Sequence, residues 1–148
     1  MGELYVIDTN AIISYFDRVF DKPSRLSALA RRLIDTALSS SVEDIKVSVP
    51  SIVFVEVFDK WLDTEEMSAK FYYEVFQLLE QSPNIEIKPV EQEVLQNILQ
   101  VRGILTDHEI HDKIIVASAV MLNCAIITTD TKIREYAETS AALPPVIT

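Results

Sequence analysis

The chain has 148 residues, a formal net charge of −10 and only two glycines. This length fits one domain, which we expect to span residues 1–148, and the acidic balance excludes a protein that coats duplex nucleic acid through a basic surface. The glycine count excludes the glycine-rich loops that bind nucleotide phosphates. We expect a cytoplasmic protein that does not enter a membrane, because the chain has a single cysteine and no signal-like or membrane-spanning apolar segment.

The first half of the chain alternates short apolar runs with amphipathic stretches. The apolar runs at residues 4–7 and 46–49 are rich in β-branched side chains and predict buried strands. Apolar residues at helical spacing, preceded by capping residues such as Ser24 and Thr64, predict helices. These helices are expected at residues 11–16, at 24–38, from 50 or 51 to 61 or 62, and at 64–80.

The second half continues this alternation. We expect a strand and turn at residues 85–90, a strand at 125–128 and an edge strand at 144–147. Helices are expected at residues 91–101, 110–122 and 131–136. Gly103 occupies the position of a C-terminal cap. The alternation predicts an α/β protein whose parallel sheet is covered by helices on both faces, with ligands bound at the carboxyl ends of the strands.

Four carboxylates occur where negative charge is costly. Asp8 and Asp130 come at the carboxyl ends of predicted buried strands. Glu56 is the only charged residue between positions 52 and 58, and Asp112 opens a helix whose later turns are uncharged. Carboxylates in apolar surroundings are unfavourable unless they are paired or bind a cation. We therefore expect these acids to bind a hard divalent cation, Mg²⁺ or Mn²⁺, as in enzymes that hydrolyse phosphodiesters.

Each of these acids also has a structural interpretation, which the sequence leaves open. Asp8 and Asp130 are suitable N-caps for the helices that follow them. Asp112 lies in a first helical turn, where the helix dipole favours negative charge. Glu56 is suited to a buried ion pair. The sequence alone does not separate these roles from metal binding.

The other candidate functional residues are weaker. The chain has two histidines, His108 and His111, and its one cysteine lies elsewhere, which disfavours a zinc site. We expect His111 to support the acids or to begin a helix. Trp61 and the aromatic run at residues 71–73 are expected to pack in the core or an interface rather than to stack on nucleic acid bases.

Four motifs occur in a fixed order along the chain. They are Asp8-Thr9-Asn10, Glu56, residues 111–119 (His-Asp-Lys-Ile-Ile-Val-Ala-Ser-Ala) and residues 126–130 (Ile-Ile-Thr-Thr-Asp). Together they resemble the PIN domain, and more narrowly the VapC-type ribonuclease toxins of type II toxin–antitoxin pairs. The resemblance extends over residues 4–136.

This resemblance implies a three-layer α/β/α sandwich with a mainly parallel sheet and cleavage of RNA by an endonuclease directed at single strands, which leaves 5′-phosphate and 3′-hydroxyl ends. It implies a Mg²⁺ or Mn²⁺ pocket whose catalytic ligands match Asp8, Glu56, Asp112 and Asp130. By the same likeness, Asn10 and Thr128 support the pocket, homodimers are frequent, and a toxin is inhibited by a small antitoxin. Asn123 stands where relatives often carry glycine, a departure that affects a turn.

An acidic ribonuclease needs a local basic surface to contact its substrate. Six basic residues are candidates for this surface: Arg18, Lys22, Arg25, Lys113, Lys132 and Arg134. We also predict a symmetric homodimer that uses one of the two long amphipathic helices, residues 24–38 or 64–80.

Three other functions remain open. The first is a stand-alone RNA-processing PIN nuclease without an antitoxin, which the absence of a neighbouring gene for a small DNA-binding protein would favour. The second is a non-catalytic PIN scaffold or binding module, which is expected to lack part of the acidic set that is intact here. The third is another Mg²⁺ enzyme such as a phosphatase, which would need a second Asp two residues after Asp8, where this chain has Asn10.

Overall fold

Five parallel strands form one sheet in the described part of the chain, residues 3–39 and 44–148 of this computed structural model. In chain order they are β1 (Glu3–Ile7), β2 (Ile45–Pro50), β3 (Ile85–Lys88), β4 (Ala125–Ile127) and β5 (Val146–Ile147). Their order across the sheet is β3-β2-β1-β4-β5. The chain adds strands on one side of β1 and then returns to the other side. The carboxyl ends of β1 and β4 therefore form a topological switch point, where open α/β sheets bind ligands.

Helices flank this sheet, and the predicted α/β class with helical layers is confirmed. The helices of the described residues are α1 (Thr9–Tyr15), α2 (Asp17–Phe20), α3 (Ala28–Leu38), α4 (Ser51–Lys60), α5 (Glu65–Lys70), α6 (Gln77–Gln81), α7 (Gln92–Arg102), α8 (Ile110–Leu122) and α9 (Thr131–Thr139). A π-helical segment, Phe71–Phe76, joins α5 to α6. Within the same residues, none of these helices has the length and apolar character needed to cross a bilayer.

The apolar runs predicted as strands lie in the core. Val6 and Ile7 of β1 are at most 1% exposed, and Ile126 and Ile127 of β4 are fully buried. Ile115 of α8, which packs against β1, is also fully buried. Burying each such side chain stabilises the fold by about 1.5–3 kcal/mol. The junction of β1, β4 and α8 is thus a rigid base for residues that follow these strands.

Two predicted helix starts are wrong. The predicted cap Ser24 lies outside α3, whose N-cap is Ser27, with Oγ accepting a hydrogen bond of 3.1 Å from the backbone N–H of Ala30. The Ser24 hydroxyl instead accepts a bond of 2.9 Å from the side chain of Arg31. Likewise α1 begins at Thr9, two residues earlier than predicted, and the short α2 was not predicted. Capping patterns from sequence do not distinguish two serines three residues apart.

The other element predictions are confirmed with small changes. Thr64 caps α5 by accepting a hydrogen bond of 3.1 Å from the N–H of Met67, and β5 is an edge strand as predicted. Gly103 does follow α7, but its φ of −71° is an ordinary right-handed value that does not require glycine. A left-handed conformation occurs instead at Asn123, where α8 ends (φ 51°), and at Asp21, where α2 ends (φ 52°).

Candidate active site

Asp8 and Asp130 lie side by side because the strands that precede them are paired. In the register of β1 and β4, Ile7 is opposite Ile127. The backbone N–H of Asp8 donates a 2.9 Å hydrogen bond to the carbonyl of Ile127. The Asp8 side chain is only 1% exposed, so the sheet holds this carboxylate below the protein surface.

Thr128 connects these two aspartates. Its hydroxyl donates to Asp8 Oδ2 at 2.7 Å and accepts from the backbone N–H of Asp130 at 3.0 Å. The other oxygen of Asp8, Oδ1, accepts a 2.7 Å hydrogen bond from the N–H of Thr9. Because Thr128 is fully buried, the positions of the Asp8 carboxylate and of the Asp130 backbone are fixed relative to each other.

Asp130 is both a helix cap and a member of the site. Its Oδ1 accepts hydrogen bonds from the N–H groups of Lys132 and Ile133, at 2.9 and 3.1 Å, so its structural interpretation is correct. Its Oδ2 lies 3.1 Å from His108 Nε2. The His108 side chain is 5% exposed, and its Nδ1 has no hydrogen-bond partner among the described residues. Capping therefore uses one oxygen of Asp130, and the second oxygen contacts His108.

Glu56 and Asp112 form the other half of the site. They lie on α4 and α8, which pack against each other. His111 Nε2 is 2.6 Å from Glu56 Oε2 and 3.9 Å from Asp112 Oδ1. Glu56, His111 and Asp112 each offer one potential metal-ligand atom, and these atoms all lie within 4.8 Å of one another.

A lysine and a further glutamate border this cluster. Lys60 Nζ lies 2.6 Å from Glu109 Oε2 and 4.0 Å from Glu56 Oε2. His111 Nε2 also lies 3.4 Å from Glu109 Oε2. Glu56 therefore takes part in ion pairs, as its structural interpretation proposed. Its second oxygen, Oε1, is buried and has no hydrogen-bond partner in residues 3–39 and 44–148.

The four carboxylates interact electrostatically. The pKa of Asp8 is raised to about 7; burial is the largest cause, and the negative charges of Asp112 and Glu56 act in the same direction, against the hydrogen bonds from Thr128 and Thr9. A bound cation would reverse this effect, because it stabilises the ionised form.

The pKa of Asp112 is raised for similar reasons. Burial is the largest cause, and the charges of Glu56 and Asp130 act in the same direction, against the two histidines His111 and His108. Charge effects therefore link Asp8 to Glu56 and Asp112, and Asp112 to Asp130. Within the described residues, however, the potential metal-ligand atoms that lie within 4.8 Å of one another belong to Glu56, His111 and Asp112, and this group does not include Asp8 or Asp130.

The residues of the pocket fit a hard divalent cation. Carboxylate oxygens are the preferred ligands of Mg²⁺, and Mn²⁺ also accepts oxygen donors. The unpartnered Glu56 Oε1 is a free donor atom of this type. Asn10, predicted to support the acids, lines a cavity of about 480 Å³ together with Asp130.

Comparison with known proteins agrees with this architecture. Residues 5–139 match the sequence model of the PIN domain. The chain belongs to the PIN-domain family. No curated protein sequence matches it.

Several crystal structures share the PIN-like fold. FitAcB from Neisseria gonorrhoeae has a TM-score of 0.62 and 17% identity, covering 97% of this chain and 96% of that chain. VapBC2 from Rickettsia felis, bound to a DNA fragment from their promoter, has a TM-score of 0.63 and 15% identity, with coverages of 97% and 96%. VapBC-5 from Mycobacterium tuberculosis, of the VapBC family of toxin-antitoxin systems, has a TM-score of 0.62 and 17% identity, with coverages of 99% and 98%. At these identities the likeness shows the fold.

His111 was expected to support the acids or to begin a helix, and it lies in the first turn of α8 with its imidazole in contact with Glu56. The sequence interpretation missed two other residues near the acids. It assigned no role to His108 or Lys60. Lys60 follows Glu56 by one helical turn, a spacing that could have indicated their contact. The contact of His108 with Asp130 joins residues 22 positions apart, and local spacing carries no signal for it.

Proposed function

We propose that the protein is an endoribonuclease that depends on Mg²⁺ or Mn²⁺ and hydrolyses phosphodiester bonds of single-stranded RNA. Membership of the PIN family supports hydrolysis of nucleic acid. The observation that carries the proposal is the set of acids itself: Asp8 is 1% exposed, and Glu56, His111 and Asp112 hold potential metal-ligand atoms within 4.8 Å of one another. A hard divalent cation is the ligand that would stabilise the ionised pocket.

The chain's own residues have distinct roles in this proposal. A cation would be held by the carboxylates of Asp8, Glu56, Asp112 and Asp130. When bound, it would supply the Lewis acidity that lowers the pKa of water and neutralises the scissile phosphate. Thr128 holds the Asp8 carboxylate in place, and His108 and the α9 cap hold that of Asp130, so the pocket is organised in advance.

Glu56 is the residue best suited to orient the attacking water. Its free Oε1 can accept a hydrogen bond, while His111 keeps Oε2 occupied. The oriented water attacks phosphorus in line and the 3′ oxygen leaves. This direction of cleavage gives a 5′-phosphate and a 3′-hydroxyl end. Asn10 borders the same cavity as Asp130 and would support the substrate side of the pocket.

We further propose that the protein is the cytoplasmic toxin of a toxin–antitoxin pair and forms a homodimer. The similar VapBC-5 structure is described as a member of a toxin–antitoxin family, which supports a small antitoxin as partner. On one of the two segments predicted to dimerise, residues 64–80, Tyr72, Tyr73 and Leu78 are 50%, 66% and 41% exposed. A neighbouring gene for a small DNA-binding protein would favour the toxin over a stand-alone RNA-processing nuclease.

Cleavage of labelled single-stranded RNA tests the nuclease proposal. We expect cleavage with Mn²⁺ or Mg²⁺, none with EDTA, and a loss of at least about a hundredfold in rate for Glu56→Gln, the magnitude typical of acid–base catalysis. Asp59→Asn, on the exposed side of the same helix, is the matched control and should cleave at the wild-type rate. Cleavage that continues in EDTA, or a Glu56→Gln variant of full activity, would contradict the proposal.

A further inference from the structure

The cavity of about 480 Å³ includes one of the four acids, Asp130, in its lining, together with Asn10. Lys22, Arg25 and Lys132 line the cavity as well. A molecule that fills this cavity would therefore contact Asp130.

These three cations are not neutralised by the protein. Within residues 3–39 and 44–148, none of them has a carboxylate oxygen within 4.0 Å, whereas Lys60 and Lys88 are paired with glutamates at 2.6 and 3.0 Å. The chain has 13 basic and 23 acidic residues, so the positive charge of the side chains around this cavity is opposite in sign to the net charge of the protein. A cavity with this lining attracts an anion.

The loop that carries two of these cations is held in place. The backbone N–H of Lys22 donates to the Asp17 carbonyl at 3.1 Å, and that of Arg25 donates to Ser14 Oγ at 3.3 Å. Arg31 also bonds Ser14 and Ser24 from α3, at 3.5 and 2.9 Å. The loop is thus fixed against α1, and binding an anion there requires little ordering of the backbone.

Trp61 adds an aromatic surface to the same cavity. It follows α4 and is half-buried, with an edge-to-face contact to Phe20 at a centroid distance of 6.4 Å. This contact orients the indole, which also lines the cavity. Trp61 packs against the core, as the sequence predicted. It also lines the cavity beside three cations, which suits a base-stacking role for its exposed part.

We propose that this cavity binds one nucleotide of a single-stranded RNA next to the scissile phosphate. Lys22, Arg25 and Lys132 hold backbone phosphates, and Trp61 stacks on the unpaired base. The inference rests on the proposed nuclease function. An unstacked base is available only in a single strand, and phosphodiesters match the guanidinium and ammonium donors. Trp61 thereby gives the site a preference for single strands.

Intrinsic fluorescence tests this proposal without cleavage, because Trp61 is the only tryptophan of the chain. A short mixed-sequence single-stranded RNA is titrated into the whole protein in EDTA. We expect the tryptophan emission to be quenched to saturation, and the matching duplex to quench much less. An acidic peptide serves as the comparison ligand. Quenching by the peptide but not by RNA would overturn the proposal in favour of a protein partner.

Variants measured with labelled RNA separate stacking from charge. Trp61→Leu should weaken binding at least about fivefold, and Trp61→Phe, which keeps an aromatic face, should retain most of the affinity. The double variant Lys22→Gln/Arg25→Gln should reduce the magnitude of the slope of log affinity against log salt by about 1.4, because it removes two phosphate contacts and each contributes about 0.7 on a single strand. Arg32→Gln, an exposed position outside the cavity, is the charge control.

The outcomes distinguish this inference from the proposed function. RNA binding with quenching, but without cleavage in Mn²⁺, would support the subsite and contradict the nuclease. The opposite result would be cleavage that depends on the acids but no quenching by RNA, together with wild-type affinity in the Trp61 and Lys22/Arg25 variants. If those variants also melt like the wild type, this result would overturn the subsite and leave the nuclease proposal intact.

Discussion

Asp8 is the N-cap of α1 and also one of the proposed cation ligands. Its position after β1 buries it almost completely, and the N–H of Thr9 and the hydroxyl of Thr128 compensate only part of the cost of burial. Its pKa is therefore raised to about 7. A merely structural cap would not need this arrangement, because an exposed Asp or Asn caps a helix without it.

The pH dependence of stability without metal tests this burial. A raised pKa favours folding below the ordinary pKa of 3.8, and that contribution is lost as pH rises through about 7. Each pKa unit corresponds to about 1.4 kcal/mol, so from pH 5 to pH 7 the wild type should lose about 2 kcal/mol relative to Asp8→Asn, which does not ionise. Denaturant unfolding in EDTA at several pH values measures this difference. Parallel pH curves for the two proteins would contradict the account.

At the level of single residues, the sequence identifies charges whose burial costs free energy. A charged residue at the end of an apolar strand or within an apolar helix can be recognised from its neighbours in the chain, and this pattern marks the four acids. The contacts of His108 with Asp130 and of His111 with Glu56 depend on how separate elements pack. They connect residues 22 and 55 positions apart, so no periodic pattern predicts them.

At the level of elements, the strands and most helices follow from periodicity because most of them have a buried apolar face, although the helices also expose apolar side chains such as Phe58 and Leu99. Predictions failed where the signal was a single polar residue. Ser24 and Ser27 are both suitable caps, and only the packing of α3 selects Ser27. The π-helical segment, Phe71–Phe76, was also not predicted, because its sequence has the same apolar spacing as an ordinary helix.

The elements place the proposed site residues in two pairs. β1 and β4 bring Asp8 and Asp130 together through paired carboxyl ends, and α4 and α8 bring Glu56 and Asp112 together by packing against each other. The strand order β3-β2-β1-β4-β5 puts the first pair at the switch point, where open α/β sheets bind ligands.

At the scale of the whole molecule, we expect a symmetric dimer in solution. Leu33 and Ile34 of the predicted helix at residues 24–38 are buried in the core, whereas Tyr72 and Tyr73 are exposed. A dimer through the second helix would bury about 800 Å² per partner. Light scattering at micromolar concentration should give twice the chain mass, and Tyr73→Glu should give a monomer with an unchanged fold. A monomeric wild type would contradict this expectation.

The central claim is that the four acids form a divalent cation site, and a thermal melt with and without Mn²⁺ tests it most directly. A ligand that binds only the folded state stabilises it by about 2.7 kcal/mol at a hundredfold excess over its dissociation constant. Mn²⁺ should therefore raise the melting temperature of the wild type and of the control Asp59→Asn, and raise that of Asp8→Asn far less. An equal shift in all three proteins, or no shift in the wild type, would contradict the account.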